Sequence, residues 1–353
     1  MSVLKTVKVD ALNPKEELLL EAAEIIKNGG LVIIPTETVY GIAANALNEN
    51  TLERLYEIKG RPKDKPFSLH IASKDKIDNF AVSIPVSGWK LIDKFWPGPL
   101  TIIFKAKNGG TIGIRMPDDE VALRIIELSG VPIVCPSANL SGKPAPKDFS
   151  EAIQDLEQKI DFAIDSGKTK LGIESTVVDI TTDVVRVLRE GAVKKEDIER
   201  VASKKTVLFV CTGNSCRSVM AKAILEDKLK KMKRQDIEVL SAGIMMLSGM
   251  GATEATKEVL ARAGMDVSGH RSQKISPDML KKSDIILVME KLQEERILQL
   301  APEVKNRVFL LKEFAKINDS NLNVDDPIGK PISVYEQTFD VIKAAIERIV
   351  EIL

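Results

Sequence analysis

The chain has 353 residues, more than one ordinary domain holds and about what two hold at roughly 150 residues each. Hydrophobic residues make up 44% of it, a globular composition, and 51 Lys and Arg balance 51 Asp and Glu. That balance, mildly acidic over the first 200 residues and mildly basic beyond them, excludes a polybasic nucleic-acid coat and an acidic solvating tail. The N-terminal segment MSVLKTVKVDALNPKEELLL lacks the apolar core of a signal peptide, and no run reaches the ~18 apolar residues of a spanning helix. Short β-branched runs then alternate with helical periods to the end of the chain, which predicts an α/β protein.

In the first half, strands are expected at 31–36, 100–106, 111–116, 131–135, 175–181 and 184–190, and helices at 15–27, 51–59, 118–129 and 149–157. Several of these strands adjoin one another in sequence, so a twisted mixed sheet with flanking helices is expected. VKKEDIERVASKK, from Val193 to Lys205, is polar with isolated apolar residues and reads as a junction. It divides the chain into domains of 1–200 and 201–353. The second half restarts with strands at 206–210, 237–243, 284–290 and 307–311, separated by helices at 217–232, 253–263 and 292–300 and closed by one at 333–353. Four strands with crossover helices predict a parallel, doubly wound sheet.

The sharpest chemical signal is Cys211-Thr212-Gly213-Asn214-Ser215-Cys216-Arg217-Ser218, between an apolar strand and a helix. A loop ending at a helix N-terminus points consecutive backbone N–H groups inward, and the helix dipole adds to them, so a phosphate dianion binds without a metal. Cys211 at the start of the loop lies in the same positive field, which favours the thiolate. Arg217 returns to the mouth, where its planar fork suits phosphoryl oxygens. Attack by sulfur on phosphorus also needs an acid for the leaving group, and Asp326 in VDDPIG is the candidate, with Asp325 its neighbouring alternative. The plainer reading, a buried apolar thiol and a helix-start Asp-Pro, does not explain why strand, C-x5-R, Ser and helix follow in this order.

Residues 205–353 resemble the low-molecular-weight protein tyrosine phosphatase family in VLFVCTGNSCRS, the SAG of 241–243, the GHRS of 269–272, DIILVM and the terminal aspartate-proline. The resemblance implies a cysteinyl-phosphate intermediate on Cys211, with Arg217 and the loop Thr212–Ser218 binding phosphate, Asp326 as acid and base, no cofactor, and a phosphoprotein substrate. Val219 stands where the family usually has proline. Phosphotyrosine members line the pocket with aromatic residues, whereas this half has one Tyr and no Trp, Ile328-Gly329 follow the aspartate-proline, and Ile244-Met245-Met246-Leu247 follow SAG. Ser215 resembles the small hydroxyl residue of the family's arginine phosphatases, so phosphoarginine is expected ahead of phosphotyrosine. Arsenate reductases share the loop but relay electrons through later cysteines, and none follows Cys216. Cys216 reads either as a partner for Cys211 on oxidation or as a packed small residue. Three cysteines in all are too few for a disulfide framework and fit a reducing interior, so the cytoplasm is the expected location.

In the first half, IPTETVYGI, KGRPKDKPFSLHI, WPGPLT, TIGIRMP, CPSANLSGKPAP, GIESTVVD and RVLREGAV each have a dull explanation as turns, packing or a solvated face. Together they concentrate Lys59, Arg61, Lys63 and Lys65 where Gly60, Pro62 and Pro66 break a helix, and short hydroxyl and amide donors at a strand end. Neither a Walker-type lysine loop nor G-x-G-x-x-G is present. Residues 10–200 resemble the YrdC-like family of threonylcarbamoyl-AMP synthases, whose marker set here is Lys59, Arg61, Ser137 and Asn139. The resemblance implies that L-threonine, bicarbonate or CO2, and ATP give L-threonylcarbamoyl-AMP and pyrophosphate, with Mg2+ on the triphosphate. The adenylate would pass to a machinery that modifies tRNA, so tRNA is an indirect partner. Thr38, His70, Arg115 and Ser175 are then expected to hold threonine, Arg115 through its carboxylate. Arg61, Lys65, Thr111, Ser137 and Arg189, with backbone at Cys135 and Ala145, are expected to hold ATP, and Lys59 and Asn139 complete that set, with Lys59 expected to face phosphate. No residue stands out as a general base, which leaves positioning and charge stabilisation. A non-catalytic RNA-binding module is the alternative for this half, and the marker set and mild acidity speak against it.

Overall fold

By internal packing the chain divides into two units, Met1–Ala202 and Ser203–Leu353. The structure is a computed structural model that describes residues 4–182, 184–245 and 249–353; Met246 and Leu247 lie outside the described residues.

In the first unit the β-branched runs become strands that pair into one mixed sheet, eleven strands among the described residues. From edge to edge these are Lys5–Lys8, Phe162–Asp165, Val32–Ile34, Gly41–Asn45, Ile133–Val134, Leu69–His70, Thr111–Arg115, Leu100–Ala106, Thr176–Asp179 and Arg186–Arg189, while Ala81–Val82 pairs with Leu100–Ala106. Parallel and antiparallel pairs are mixed along it: Leu69–His70 runs parallel to Thr111–Arg115 and antiparallel to Ile133–Val134. Expected strands and helices of this half are present, most of them shorter than their hydrophobic patterns. Gly41–Asn45, Leu69–His70, Phe162–Asp165 and the helix Val86–Phe95 were not expected. That helix carries Gly88, where a Cβ would come within 2.5 Å of Ile180, so the glycine lets helix and sheet approach closely.

Two helices of this unit are capped at both ends. Glu49–Lys59 begins at Asn48, whose side chain accepts from the Thr51 N–H, and ends at Gly60 in the left-handed region, so Lys59 is its last residue. Glu120–Ser129 begins at Asp119, whose side chain accepts from the Ala122 N–H, and ends at Gly130, also left-handed. It follows shortly after the strand that ends in Arg115. The core lies on both faces of the sheet, with Leu19, Ile26, Val121 and Ile125 in one cluster and Leu55, Ile58, Ala152 and Leu156 in another.

The second unit has a four-stranded sheet in the order Ile237–Gly243, Lys205–Cys211, Ile285–Val288, Val308–Leu310, every pair parallel. Helices Arg217–Lys231, Glu254–Arg262 and Ile332–Ile352 share one core with the sheet, through Met220, Ile224, Leu260, Ile342 and Ile346. Lys205–Cys211 has the next two strands of the sequence on opposite sides. Its carboxyl end is therefore the switch point where doubly wound sheets hold ligands.

Candidate active sites

In the second unit the strand stops at Cys211 and the helix starts at Arg217, with the Thr212–Cys216 loop between them. Asn214 takes φ 52° and turns its side chain inward, where it is fully buried. Its Nδ2 donates to Ser218 Oγ at 2.9 Å and to Ser241 Oγ at 3.0 Å, and its Oδ1 accepts from the Gln273 N–H at 3.0 Å. Its carbonyl meets His270 Nε2 at 2.7 Å, and burial lowers the pKa of that imidazole. Asn214 is thus a peg that shapes the loop, and the SAG and GHRS motifs supply its sockets. Gly243 has a related reason: a Cβ there would stand 2.9 Å from the Thr212 carbonyl oxygen and 3.0 Å from the Asn214 nitrogen.

Ser218 Oγ lies 3.0 Å from Cys211 Sγ. Because Ser218 accepts from Asn214, its own proton is available to the sulfur, a contact that steadies negative charge there. Among the described residues the amides of Gly213, Asn214, Ser215 and Cys216 donate to no protein acceptor, which leaves them for an oxyanion.

Arg217 is 1% exposed. Its Nη1 donates to the Val324 carbonyl and pairs with Glu290 Oε2, both at 2.8 Å, and its Nη2 pairs with Asp326 Oδ2. Its Nε is buried with no partner among the described residues. Gln293 donates to Glu290 and to Thr212 Oγ1, joining the arginine's carboxylate partner to the loop. A cavity of about 640 Å³ is lined by Cys211, Thr212, Gly213, Ser215, Cys216, Arg217 and Asp326, with Met245, Met250, Thr253, Glu254 and Ile328. Asp325 is exposed and absent from that lining, so the structure prefers Asp326 of the adjacent pair. Cys216 is free and buried, its Sγ 3.5 Å from Thr253 Oγ1. Glu290, Gln293 and Gln273 were not singled out from the sequence, because their roles depend on neighbours distant along the chain.

In the first unit a cavity of about 430 Å³ opens over the sheet. It is lined by Lys59, Arg61, Lys65, His70, Thr111, Arg115, Cys135, Ser137, Ser175 and Arg189, ten of the thirteen residues expected to bind substrates. Thr38, Asn139 and Ala145 are outside the lining. Thr38 Oγ1 accepts from Arg115 Nη2 at 2.9 Å, and Asn139 Oδ1 accepts from Lys59 Nζ at 3.1 Å, so both act through a lining residue; Ala145 is half-buried. Gly41 also lines the cleft, where a Cβ would stand 2.4 Å from Cys135 Sγ.

Arg61 lies over the Phe67 ring at 5.1 Å and donates to the Lys65 and Pro66 carbonyls, which orders the KGRPKDKP segment beside the cleft. Arg189 pairs with Glu174 at 2.8 Å and donates to the Ser175 carbonyl, and Ser175 shares a hydrogen bond with Thr101. His70 and Arg115 are paired residues on adjacent strands. Burial first, and the Arg115 charge second, lower the His70 pKa to about 3, so the imidazole is neutral, and its Nδ1 is buried without a partner among the described residues. The expectation that Lys59 faces phosphate needs correction. Lys59 Nζ is engaged by Ser137 O, Asn139 O and Asn139 Oδ1, which account for all three of its protons. The sequence reading also missed Glu37, which is 2% exposed and brings Oε2 within 2.7 Å of Arg115 Nη2. Its placement one residue before Thr38 was the only available signal.

Two family models match the chain. Sua5_yciO_yrdC, described as telomere recombination, covers residues 24–191, and the low molecular weight phosphotyrosine protein phosphatase model covers residues 206–353. A threonylcarbamoyl-AMP synthase of Pyrococcus abyssi is 46% identical over 209 residues, 57% of this chain and 62% of that protein. The chain spans about three fifths of the length of the first curated relatives it matches. A probable low molecular weight protein-tyrosine-phosphatase, EpsP, of Ralstonia nicotianae is 35% identical over 143 residues, 40% of this chain and 92% of that protein. A crystal structure of P. abyssi Sua5 complexed with L-threonine is similar with a TM-score of 0.53 at 26% identity, covering 99% of this chain and 98% of that one.

Proposed function

We propose two activities for this chain, which belongs through residues 24–191 to the Sua5/YciO/YrdC family and through residues 206–353 to the low molecular weight phosphotyrosine protein phosphatase family. In the first, L-threonine, bicarbonate or CO2, and ATP become L-threonylcarbamoyl-AMP and pyrophosphate. The threonine nitrogen bonds to the carbon of CO2 and gives up a proton, or to that of bicarbonate, whose hydroxyl departs as water. An oxygen of the resulting carbamate then attacks the α-phosphorus of ATP, and the bond from that phosphorus to the departing pyrophosphate breaks. The observation that supports this most is one cleft lined by Arg61, Lys65, Arg115 and Arg189, with Asp64 and Glu174 in the same lining and Glu37 behind Arg115, a net positive surface for a polyphosphate and a carboxylate.

Arg115, Thr38, His70 and Ser175 take the threonine end, and Arg61, Lys65, Thr111, Ser137, Arg189 and the backbone at Cys135 and Ala145 take ATP. Lys59 and Asn139 hold the segment that carries Ser137. Among the described residues this cleft has no free carboxylate pair to chelate magnesium, since Glu174 is bonded to Arg189, so Mg2+ would come with the ATP triphosphate. The adenylate is consumed by a machinery acting on tRNA, which makes tRNA an indirect partner. The cytoplasm remains the expected location; among the described residues no helix is long and apolar enough to cross a membrane. Pyrophosphate release from ATP by the full chain tests the reading. Release that requires both threonine and bicarbonate supports it, and RNA binding without such release replaces it with a binding module.

In the second activity Cys211 Sγ attacks phosphorus, a P–S bond forms, and the bond to the leaving atom breaks while Asp326 hands that atom a proton. Water then attacks, Asp326 takes its proton, and the P–S bond breaks to give inorganic phosphate. Arg217 and the loop amides Thr212–Ser218 hold the phosphoryl oxygens. The cavity that gathers sulfur, unspent amides, arginine and aspartate supports the reading. Phosphoarginine is preferred over phosphotyrosine, because the described lining has Ser215, Met245, Met250 and Ile328 and no aromatic ring for a phenyl group to stack on. Hydrolysis of phosphoarginine and phosphotyrosine by the full chain decides the preference. Cys211→Ser is expected to abolish turnover of both, retain phosphate binding and leave pyrophosphate release intact.

A further inference from the structure

Glu37 is the least comfortable group in the first unit. Its carboxylate is 2% exposed, and both oxygens are buried without a well-directed hydrogen bond among the described residues, although Oε2 is only 2.7 Å from Arg115 Nη2. The contact is an ion pair made off the N–H direction. Burying a charge that way is costly unless its partner needs it. Leu171 N–H donates to the Glu37 backbone carbonyl at 2.8 Å, so the main chain is held independently of the side chain.

The partner's bonds show what is at stake. Arg115 Nε reaches the Gly98 carbonyl at 3.3 Å, Nη2 donates to Thr38 Oγ1 at 2.9 Å and faces Glu37, and Nη1 has no acceptor among the described residues. Arg115 is itself 5% exposed yet lines the cleft. Glu37 and Thr38 therefore grip one edge of the guanidinium and leave the other open.

From this geometry we propose that Glu37 is a positioning residue for the amino-acid substrate: it pins the Nη2 edge of Arg115 so that the Nη1 edge stays aimed at the substrate carboxylate. The inference rests on the reading of the first unit as a threonine-using synthase. It differs in sign from the plain alternative, in which Glu37 only neutralises Arg115. Removing a mere counter-charge would strengthen the cation's pull on a carboxylate and tighten threonine binding. Removing a clamp lets the fork turn, and binding weakens.

Calorimetric titration of the full chain with L-threonine and, separately, ATP tests this. Glu37→Gln keeps the volume and removes the charge; the expected result is threonine binding weakened tenfold or more, with ATP binding within twofold of the parent. Glu37→Asp, which keeps the charge one methylene further back, is expected to fold and to recover part of the loss, and it serves as the readout if Glu37→Gln does not fold. Threonine affinity unchanged or tightened in Glu37→Gln, or equal losses for both ligands, overturns the inference. Failure of the unaltered chain to bind threonine overturns the synthase reading itself and takes the inference with it.

Discussion

Lys59 Nζ donates to the Ser137 carbonyl at 2.6 Å across 78 residues of sequence. With Asn139 supplying two further acceptors, the 4% exposed ammonium ties the end of one helix to the segment that follows the strand Ile133–Val134. Lys59→Met preserves the aliphatic stem and leaves those carbonyls unpaired, at about 1–3 kcal/mol for each buried group left unsatisfied. The expected outcome is a tenfold or greater loss of ATP-dependent pyrophosphate release, mainly through a raised KM for ATP.

The same ammonium predicts a pH dependence. Burial first, then the Arg61 charge, lower the Lys59 pKa to about 8. Once neutral, the amine has two protons for three acceptors. Pyrophosphate release is expected to decline as pH rises through about 8, with no limb between pH 5 and 7 from His70, whose pKa of about 3 keeps it neutral there. A rate that stays level well above that pH contradicts this role for Lys59.

Asp119 caps the helix Glu120–Ser129 while its own pKa is raised to about 6, by burial first and with help from Glu37 and Asp118. A carboxylate whose folded pKa is raised above the unfolded 3.8 adds stability below the unfolded value and loses it as pH rises through about 6. Asparagine can make the same cap without the charge. Asp119→Asn is therefore expected to raise the melting temperature at pH 7.5 and to leave it nearly unchanged at pH 4, as read by thermal scans at both.

Gly243→Ala puts a methyl group against the Thr212 carbonyl and the Asn214 nitrogen, backbone atoms that cannot swing aside. Overpacking of this kind costs about 1–3 kcal/mol, and here it is borne by the loop that follows Cys211. A loss of phosphatase kcat/KM of tenfold or more is expected, with pyrophosphate release unchanged. Equal rates for variant and parent on p-nitrophenyl phosphate contradict it.

Cys135 is buried in the lining of the first unit's cleft, and burial pushes its thiol up to about 12 against the opposing pull of Arg115 and Lys59. Thiolate is the reactive form, so alkylation at pH 8 is expected to spare it. Mass spectrometry after iodoacetamide treatment should find Cys135 unmodified in the native chain and modified in denaturant.

Much of this was legible along the chain because it is local. The strand, loop and helix around Cys211–Ser218 are one contiguous segment, and a parallel sheet can be read from β-branched runs spaced by crossover helices. Gly41–Asn45 escaped notice because GIAAN has little intrinsic strand preference; it is a strand because Val32–Ile34 and Ile133–Val134 pair with it on either side.

Residue identity and spacing along the chain pointed to two segments with the chemistry for phosphate, the Cys211–Ser218 loop and the basic KGRPKDK stretch. Tertiary structure alone decided that Lys59 is consumed by Ser137 and Asn139, that Glu37 stands behind Arg115, and that Asp326, with Asp325 left exposed, meets Arg217. The physical reason is range. Backbone amides and a helix dipole act within a few residues of their origin, whereas ion pairs and hydrogen bonds of about 3 Å join side chains whose separation in sequence, here 78 to 109 residues, bears no relation to their separation in space.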